Sequence, residues 1–227
     1  MKRIITIFVA LLVTVNVFAQ SPENITEADT TNWNSKSNQL TAGNNITIVG
    51  DPINAEGATS YSVGDFAHGG IVFWVDETGQ HGLVCAKEDQ GDGVRWHAGT
   101  FGSTQAKGSG PYEGEANTSI IIAAHVTIGD DGDVYAARIC NELEITEGGK
   151  KYDDWYLPSR KEFYLIYKNR ETIEATAKAN SGSGFAGLYW SSTERNATLA
   201  YCFNFASGFA SVSGKPITHS VRAVRAF

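Results

Sequence analysis

The residues best suited to bind a ligand are basic side chains that gather in the last third of the sequence. Residues 158–227 contain nine Lys and Arg but only four Asp and Glu, which gives this part a net charge of +5. An Arg guanidinium donates paired hydrogen bonds, so such a surface suits the sulfate or carboxylate groups of an anionic polysaccharide. The candidate ligand-binding residues of this group are Arg160, Lys161, Glu194, Arg195, Lys215, Arg222 and Arg225.

The same side chains also have a simpler interpretation as a solvated charged face. In that case one or two of the Arg side chains bind the backbone of residues 191–194 or the carboxylate of Glu194, and exposed ion pairs of this kind contribute little. Arg222 and Arg225 are three residues apart, and in a strand that spacing places them on opposite faces. We therefore do not expect these two residues to clamp one ligand together.

Two tryptophans, Trp155 and Trp190, are the aromatic candidates for ligand binding. The flat face of an indole suits the C–H face of a pyranose ring. The alternative is that both rings anchor the core between helix and sheet, because large aromatic side chains dominate protein cores. The sequence leaves both interpretations open.

Three aspartates, Asp130, Asp131 and Asp133, have the close spacing of the carboxylates in a calcium loop. The EF-hand pattern is incomplete, because no Glu stands at the twelfth position. A turn followed by a helix with Asp133 as its N-cap explains the cluster more simply. There is no CxxC motif, and the five histidines show no metal-ligand spacing. We therefore predict no cofactor, with calcium as the alternative.

Three cysteines, Cys85, Cys140 and Cys202, allow at most one internal disulfide and leave one thiol over. Cys85 ends a predicted strand and Cys140 lies on the apolar side of a predicted helix, so Cys85–Cys140 is the preferred pair. The alternative is three buried thiols that behave as small hydrophobic side chains.

The sequence lacks the G-x-S-x-G, H-E-x-x-H and P-loop signatures of enzymes. We therefore predict a non-enzymatic protein. A pair of carboxylates for glycoside hydrolysis is a spatial arrangement that spacing alone does not reveal, so a hydrolase stays open as an alternative.

The first nineteen residues have the pattern of a secretory signal peptide. Lys2 and Arg3 precede an apolar run, and Val17 and Ala19 place small residues at a cleavage site. The run is shorter than the roughly 20 apolar residues of a membrane span. We predict cleavage after Ala19 and a mature chain without a membrane span, secreted or held at the cell surface. Its net charge of −9 argues against nucleic acid as a partner.

Residues 20–60 are polar and rich in Asn, Thr and Ser. They carry too little apolar surface for a core of their own. Residues 23–36 suggest a short helix, and residues 39–53 suggest a strand, an Asn-rich turn and a second strand. This segment is predicted to be a linker, or a stalk that becomes ordered by pairing with copies of itself.

Residues 61–227 contain the signals of a folded domain. The apolar runs at 69–75 and 82–86 predict a β-hairpin. A first helix is predicted after Asp133, and a second after the capping box of Ser159 and Glu162. Short strands are predicted at residues 187–193, 197–205, 210–214 and 220–227. Two helices packed on a small antiparallel sheet predict the α+β class.

Five segments of this domain resemble, in order, those of one bacterial family: residues 61–86, AARICNEL, WYLPSRKEF, LYWSSTE and the terminal VRAVRAF. The family is the C-terminal domain of the Legionella collagen-like adhesin, a domain of unknown function related to the Fibrobacter paralogous domain. The resemblance covers residues 61–227. It implies a fold similar to C-type lectins and to formylglycine-generating enzymes, in a secreted or surface protein that binds sulfated polysaccharide as a trimer.

Two departures limit what the resemblance carries over. Formylglycine-generating enzymes use a pair of cysteines near the end of the chain, where Cys202 stands alone here. Residues 20–60 resemble the trimerising stalk of phage-tail fibres, but the Gly-X-Y tract of a collagen stalk is absent. The leading hypothesis is an adhesin-like polysaccharide-binding module that forms a homotrimer. A structural fibre cap without a small ligand is the alternative, and a glycan hydrolase is a third.

Overall fold

The chain divides into two units, Met1–Ala58 and Thr59–Phe227. The computed structural model describes residues 41–42, 46–47 and 59–227. The predicted signal peptide, its cleavage site and the predicted helix over residues 23–36 lie outside the described residues.

The first unit contains a short antiparallel hairpin. Its strands are β1 (Thr41–Ala42) and β2 (Ile46–Thr47). Thr41 lies opposite Thr47 and Ala42 opposite Ile46. The two strands lie within the residues where the sequence predicts a strand, a turn and a strand, and the predicted turn lies outside the described residues.

The second unit mixes four helices with eleven strands, all within the described residues. In chain order its elements are β3 (Phe66–Ala67), β4 (Gly70–Val75), β5 (Gly82–Cys85), β6 (Gly91–Val94), α1 (Glu113–Ile128), α2 (Ala136–Asn141), β7 (Ile145–Glu147), β8 (Lys150–Tyr152), α3 (Arg160–Lys168), α4 (Arg170–Ala179), β9 (Leu188–Glu194), β10 (Leu199–Asn204), β11 (Phe209–Gly214), β12 (His219–Val221) and β13 (Val224–Ala226). The unit is α+β, as predicted.

Three sheets organise the second unit. The predicted hairpin of β4 and β5 is the centre of a four-stranded sheet with the order β13-β5-β4-β3. A five-stranded sheet has the order β11-β10-β9-β12-β6, in which β12 runs parallel to β9 and the other pairs are antiparallel. Strands β7 and β8 form a separate hairpin.

The strand predicted over residues 220–227 is two strands in two different sheets. β12 lies inside the five-stranded sheet, and β13 pairs with β5 at the edge of the four-stranded sheet. Arg222 and Ala223 separate them, and both residues are fully buried. This short segment therefore joins the two sheets.

The capped helix forms as the sequence predicts. The Glu162 amide donates to Ser159 Oγ at 3.3 Å, and the Ser159 amide donates to Glu162 Oε2 at 2.6 Å. These two bonds satisfy backbone donors that the first turn of α3 leaves free. The helical stretch breaks at Asn169, between α3 and α4.

The other two helices differ from the prediction. α2 begins after Tyr135, which is extended, so Asp133 is not its N-cap. α1 spans 16 residues, whereas the sequence indicates only a short apolar run of unassigned type. Its buried side is made largely of small or polar residues, which do not give an apolar helical pattern. The buried residues of α1 are Gly114, Asn117, Thr118, Ile121 and His125.

The core consists of two clusters of buried side chains. One contains the indole rings of Trp96, Trp155 and Trp190, and the other is built on phenyl rings that include Phe163 and Phe205. Helices α3 and α4 contribute to the second cluster through their apolar faces.

The three cysteines are free and buried, so the predicted Cys85–Cys140 disulfide is wrong. Cys85 belongs to the phenyl cluster and Cys140 to the indole cluster. Burial raises the pKa of Cys85 to about 12 and raises the pKa of Cys140 as well. Both thiols therefore act as small hydrophobic groups, which was the alternative interpretation.

Among the residues that the structure describes, no helix has the length and apolar character needed to cross a membrane.

Candidate functional site

The start of α3 is fixed against the last strand residues of β9. The Ser192 amide donates to the Pro158 carbonyl at 2.7 Å, and the Arg160 amide donates to Thr193 Oγ1 at 3.4 Å. Because these bonds join the helix to a central part of the sheet, the side chains of its first turn have a defined position.

A loop over residues 102–110 forms the second support of this region. Thr193 Oγ1 donates to the Gly108 carbonyl at 2.8 Å, and Ser159 Oγ donates to the Gly110 carbonyl at 2.6 Å. Lys107 Nζ donates to the Arg195 carbonyl at 3.2 Å. The loop, α3 and the turn after β9 are thus held together at one place.

Glu194 holds the loop from inside and does not face a ligand. The residue is 2% exposed, and its side chain is fully buried. Burial alone would raise its pKa, but hydrogen bonds from Lys215 and Lys107 and from the Thr104 amide outweigh burial and lower the pKa to about 2. The Ser103 hydroxyl and the Gln105 amide also donate to it. The prediction of Glu194 as a ligand-binding residue is therefore wrong.

Lys215 is the internal partner of Glu194. Its ammonium lies 2.7 Å from Glu194 Oε1 and 2.7 Å from the Gly102 carbonyl, over the ring of Trp96. The residue has no exposed surface, so it is not available to an external anion. The alternative interpretation anticipated a basic partner for Glu194, but Lys residues rather than Arg fill that position.

Arg222 is also internal. Its Nε donates to Asp89 Oδ1 at 2.6 Å, and its other nitrogens donate to the carbonyls of Ala86, Ser183 and Gly184. The side chain is fully buried. Arg222 therefore ties the end of β5 to the loop before β9, and its assignment to a ligand surface is wrong.

Arg225 is 8% exposed and pairs with both carboxylate oxygens of Asp154. It also donates to the His68 carbonyl at 3.2 Å and lies over the ring of Tyr152. These contacts occupy the guanidinium. Arg222 and Arg225 bind different internal partners, and Arg222 lies between β12 and β13 rather than in one strand with Arg225.

The two predicted sugar-stacking rings lie in the core. Trp155 is 2% exposed and Trp190 is fully buried, and each indole N–H donates to a backbone carbonyl, Tyr152 and Val94 respectively. Neither ring has a free face for a pyranose. The core-anchor interpretation is the one that the structure supports.

Two of the three candidate calcium ligands, Asp130 and Asp131, are paired with arginines, whereas the side chain of Asp133 is largely exposed. Asp131 pairs with both terminal nitrogens of Arg95, whose hydrogen bond lowers the pKa of the carboxyl to about 2. Asp130 pairs with Arg138. The Asp133 amide donates to Asp131 Oδ1 at 3.1 Å, which is a turn contact. In the described part of the chain no group of three or more His, Cys, Asp or Glu is placed to hold a metal ion.

Three of the predicted basic residues remain at the surface: Arg160 is half-buried, and Lys161 and Arg195 are exposed. The sequence analysis missed two further cations, Lys107 and Lys168, and two tyrosine rings that contact cations of this region, Tyr164 and Tyr201. We call this set the basic face. It consists of Lys107, Arg160, Lys161, Lys168 and Arg195, with the rings of Tyr164 and Tyr201.

The geometry of the basic face pairs cations with aromatic rings. The Arg160 guanidinium lies 4.1 Å above the Tyr201 ring, and the Lys161 ammonium lies 4.8 Å from the Tyr164 ring centre. Lys168 approaches the same Tyr164 ring at 5.9 Å, because residues 161, 164 and 168 share one side of α3. Helical spacing could have suggested this grouping.

The basic face has few internal counter-charges. Within the described residues, Lys107 is the one member that has a carboxylate within 4.0 Å, namely Glu194. The Arg160 Nε is buried and has no hydrogen-bond partner there. Arg160, Lys161, Lys168 and Arg195 thus have no carboxylate partner among the described residues, and this leaves their charges available to an external anion.

A shallow, open concavity of about 350 Å³ carries the opposite charge. Its lining residues are Glu88, Asp89, Gln90, Ile139, Glu142, Leu143 and Glu144. Asp89 is already bound to Arg222, and Glu144 to Lys151 at 2.5 Å. Glu142 lies 3.9 Å from Arg138, so three of the four acidic side chains of the concavity have a cation within 4.0 Å.

The comparison of this chain with protein families shows the family to which it belongs. Residues 85–225, more than half of the chain, match the sequence model described as the Lcl C-terminal domain. The chain belongs to this family. The Lcl C-terminal domain match begins at the last residue of β5 and ends within β13, so it contains α3, β9 and the whole basic face. The resemblance of the domain to this family is confirmed over residues 85–225.

One solved structure resembles the chain at low sequence identity. It is the crystal structure of a fimbrial protein from Bacteroides ovatus ATCC 8483, at 17% identity and a TM-score of 0.49. The match covers 68% of this chain and 43% of the fimbrial protein, so the chain spans less than half the length of that protein. No curated protein matches the sequence significantly.

Proposed function

We propose that this Lcl C-terminal domain is a non-enzymatic, adhesin-like module that binds an anionic polysaccharide on its basic face. The observation that carries the proposal is the Arg160 guanidinium, which lies over the Tyr201 ring. Within the described residues it has no carboxylate within 4.0 Å, and its Nε has no hydrogen-bond partner. An arginine that is already oriented loses less freedom on binding than a mobile one, and its fork matches sulfate or carboxylate oxygens.

The surrounding residues define the ligand class. Lys161, Lys168 and Arg195 add positive charge around Arg160, while the Tyr164 and Tyr201 rings supply flat apolar surface next to that charge. A polymer with regularly spaced sulfate or carboxylate groups on sugar rings matches both features. Neutral sugars match only the aromatic part.

We further propose that the protein is exported and works as a trimer through residues 20–60. A single exposed charged contact contributes little in water. Joining several sites on one stalk raises overall binding strength by about 100-fold to 10,000-fold when the sites engage together. The signal-peptide pattern of residues 1–19 supports export, and the resemblance of residues 20–60 to fibre stalks supports the trimer. We also propose that residues 61–227 have a C-type-lectin-like fold.

A structural fibre cap without a small ligand is the second candidate. Burial of both Trp155 and Trp190 favours it, because neither ring is open to a sugar. The two candidates differ in whether the basic face binds an anionic polymer, because this face has no role in a fibre cap.

The test compares dextran sulfate with dextran, which share one polymer backbone. Residues 20–227 are immobilised and binding is measured at low and high salt. We expect saturable binding of dextran sulfate that weakens with salt and no binding of dextran. Arg160→Ala removes charged hydrogen bonds and is expected to weaken binding about tenfold. Lys178→Ala, an equal charge change on α4 outside the basic face, is the control. Folded protein that binds neither polymer contradicts the proposal and favours the fibre cap.

A further inference from the structure

A second group of polar residues lies apart from the contacts that define the basic face, where residues 95–102 pass between the end of α1 and the start of α2. The Ala136 amide donates to the Arg95 carbonyl at 2.9 Å, and the Asp131 amide donates to the Ala98 carbonyl at 3.1 Å. Gly99 forms an isolated β-bridge with Asp130. This segment is therefore fixed through its backbone to the first residue of α2 and to the loop that joins α1 to α2.

His97 stabilises the conformation of this segment only when its imidazole ring is neutral. The Gly99 amide donates to His97 Nδ1 at 2.8 Å. Nδ1 must therefore carry no proton, and the neutral ring holds its proton on Nε2. That Nε2 is buried and has no partner in the described residues. Gly99 has a φ of 94°, and a side chain there would collide with Asp131, so the segment packs closely against the loop between α1 and α2.

His125, on the buried side of α1, lies beside the same segment. It is 1% exposed, and neither of its ring nitrogens has a hydrogen-bond partner within the described part of the chain. Its ring centre is 5.4 Å from that of Tyr135, whose hydroxyl is also buried without a partner there. We call His97, His125 and Tyr135 the histidine layer.

The charged groups around the histidine layer do not favour a second proton on either ring. Arg95 and Lys215 oppose a positive charge on His97, and Asp131 favours it. Lys215 and His97 oppose a charge on His125, and Asp130 favours it. Both aspartates already pair with arginines.

The predominant effect on both rings is burial. Burial lowers the pKa of His97 and that of His125 below 6.5, and the neighbouring cations lower them further. A buried polar group without a partner is costly, and a buried charge without one costs more.

We propose that the histidine layer is an acid-sensitive latch that holds residues 97–102 against α1 and α2 at neutral pH and releases them in acid. Protonation of His97 places an N–H where the Gly99 amide needs an acceptor, so two donors face each other. Protonation of His125 places a charge in the core beside Tyr135. The release stops at Ser103, because Glu194 holds residues 103–107 and stays ionised down to about pH 2.

The direction of the pH effect follows from proton binding. The unfolded chain binds protons to both histidines more readily than the folded one, so acid favours opening. The latch is fully closed above pH 6.5 and weakens as the pH falls below that value. This inference is independent of polysaccharide binding on the basic face.

Amide hydrogen exchange of residues 98–100 and 129–131 tests the latch directly. After correction for the intrinsic pH dependence of exchange, we expect opening in the wild type to increase about tenfold between pH 7.5 and pH 5. His97→Asn keeps an acceptor near Gly99 and does not titrate. Combined with His125→Phe, it is expected to abolish the increase. His81→Asn, at an exposed histidine, is the control and should behave as wild type.

Two results would overturn the latch. One is a wild type whose exchange in these segments shows no acid-dependent increase. The other is a double variant that retains the full increase. Should the variants fail to fold, the ¹⁵N spectrum of the wild-type imidazoles at pH 7.5 decides, because the latch requires the Nε2–H form of His97.

Discussion

Replacement of Glu194, the last residue of β9, by Gln is expected to destabilise the fold strongly. The carboxylate receives hydrogen bonds from two lysines, two backbone amides and two hydroxyls. A Gln amide has one acceptor oxygen, and its NH2 group would face donors. Lys215 would also become a buried cation without a counter-charge. Removing one partner of a buried ion pair costs about 3–5 kcal/mol.

The assay is urea unfolding at pH 7, followed by tryptophan fluorescence. Trp96 reports on the region directly, because its ring lies under the Lys215 ammonium and its N–H donates to the Ser191 carbonyl. Glu142→Gln is the control, since Glu142 is exposed and contacts Arg138 only at 3.9 Å. That change should cost less than about 0.5 kcal/mol.

The pH dependence gives a second check on Glu194. Its folded pKa of about 2 is below the ordinary value of 4.5, so the stability it contributes is present above pH 4.5 and is lost as the pH falls through 2. The difference between wild type and Glu194→Gln should therefore shrink in that window. A cost below 1 kcal/mol at pH 7, or a difference that does not change with acid, would refute the account of Glu194 as a structural anchor.

Three further predictions concern other parts of the fold. All three thiols should resist a thiol reagent in the folded protein and react in urea without reductant; a missing thiol in urea would indicate a disulfide. Ser159→Ala removes the N-cap of α3 and should cost about 1 kcal/mol in urea unfolding, with Thr as the milder replacement. Arg222→Met leaves Asp89 without its cation and should lower the free energy of unfolding by about 3 kcal/mol or more. If the variant unfolds at the same urea concentration as the wild type, the pair contributes nothing to stability.

The parts of the fold that the sequence predicted are those with local signals. The hairpin of β4 and β5 and the capping box of Ser159 and Glu162 each depend on residues close together in the chain. α1 was missed because its buried side contains Asn117 and Thr118, which bond to the Gly108 and Leu157 segments. Those partners are distant in sequence or belong to loops, so periodicity of apolar residues does not detect them.

The candidate site was predicted in part for the same reason. Residue type identified Arg160 and Lys161 as cations, and both are at the surface. Residue type equally suggested Arg222, yet its partner Asp89 is 133 positions away in the chain. Whether a cation is bound internally depends on such pairings, which only the three-dimensional arrangement reveals.

The division of residues 219–226 between two sheets has a kinetic consequence. Val224 pairs with Cys85, and Ser220 pairs with Tyr189. Both pairings join residues that are far apart in the sequence, and one short segment makes both of them. Long-range strand pairing is slow, and domains dominated by it fold in milliseconds to seconds. Before this segment docks, β5 and β9 each present an unpaired edge to solvent. Folding of the domain should therefore be limited by a single late closure, and the species that precedes closure is the one most exposed to aggregation.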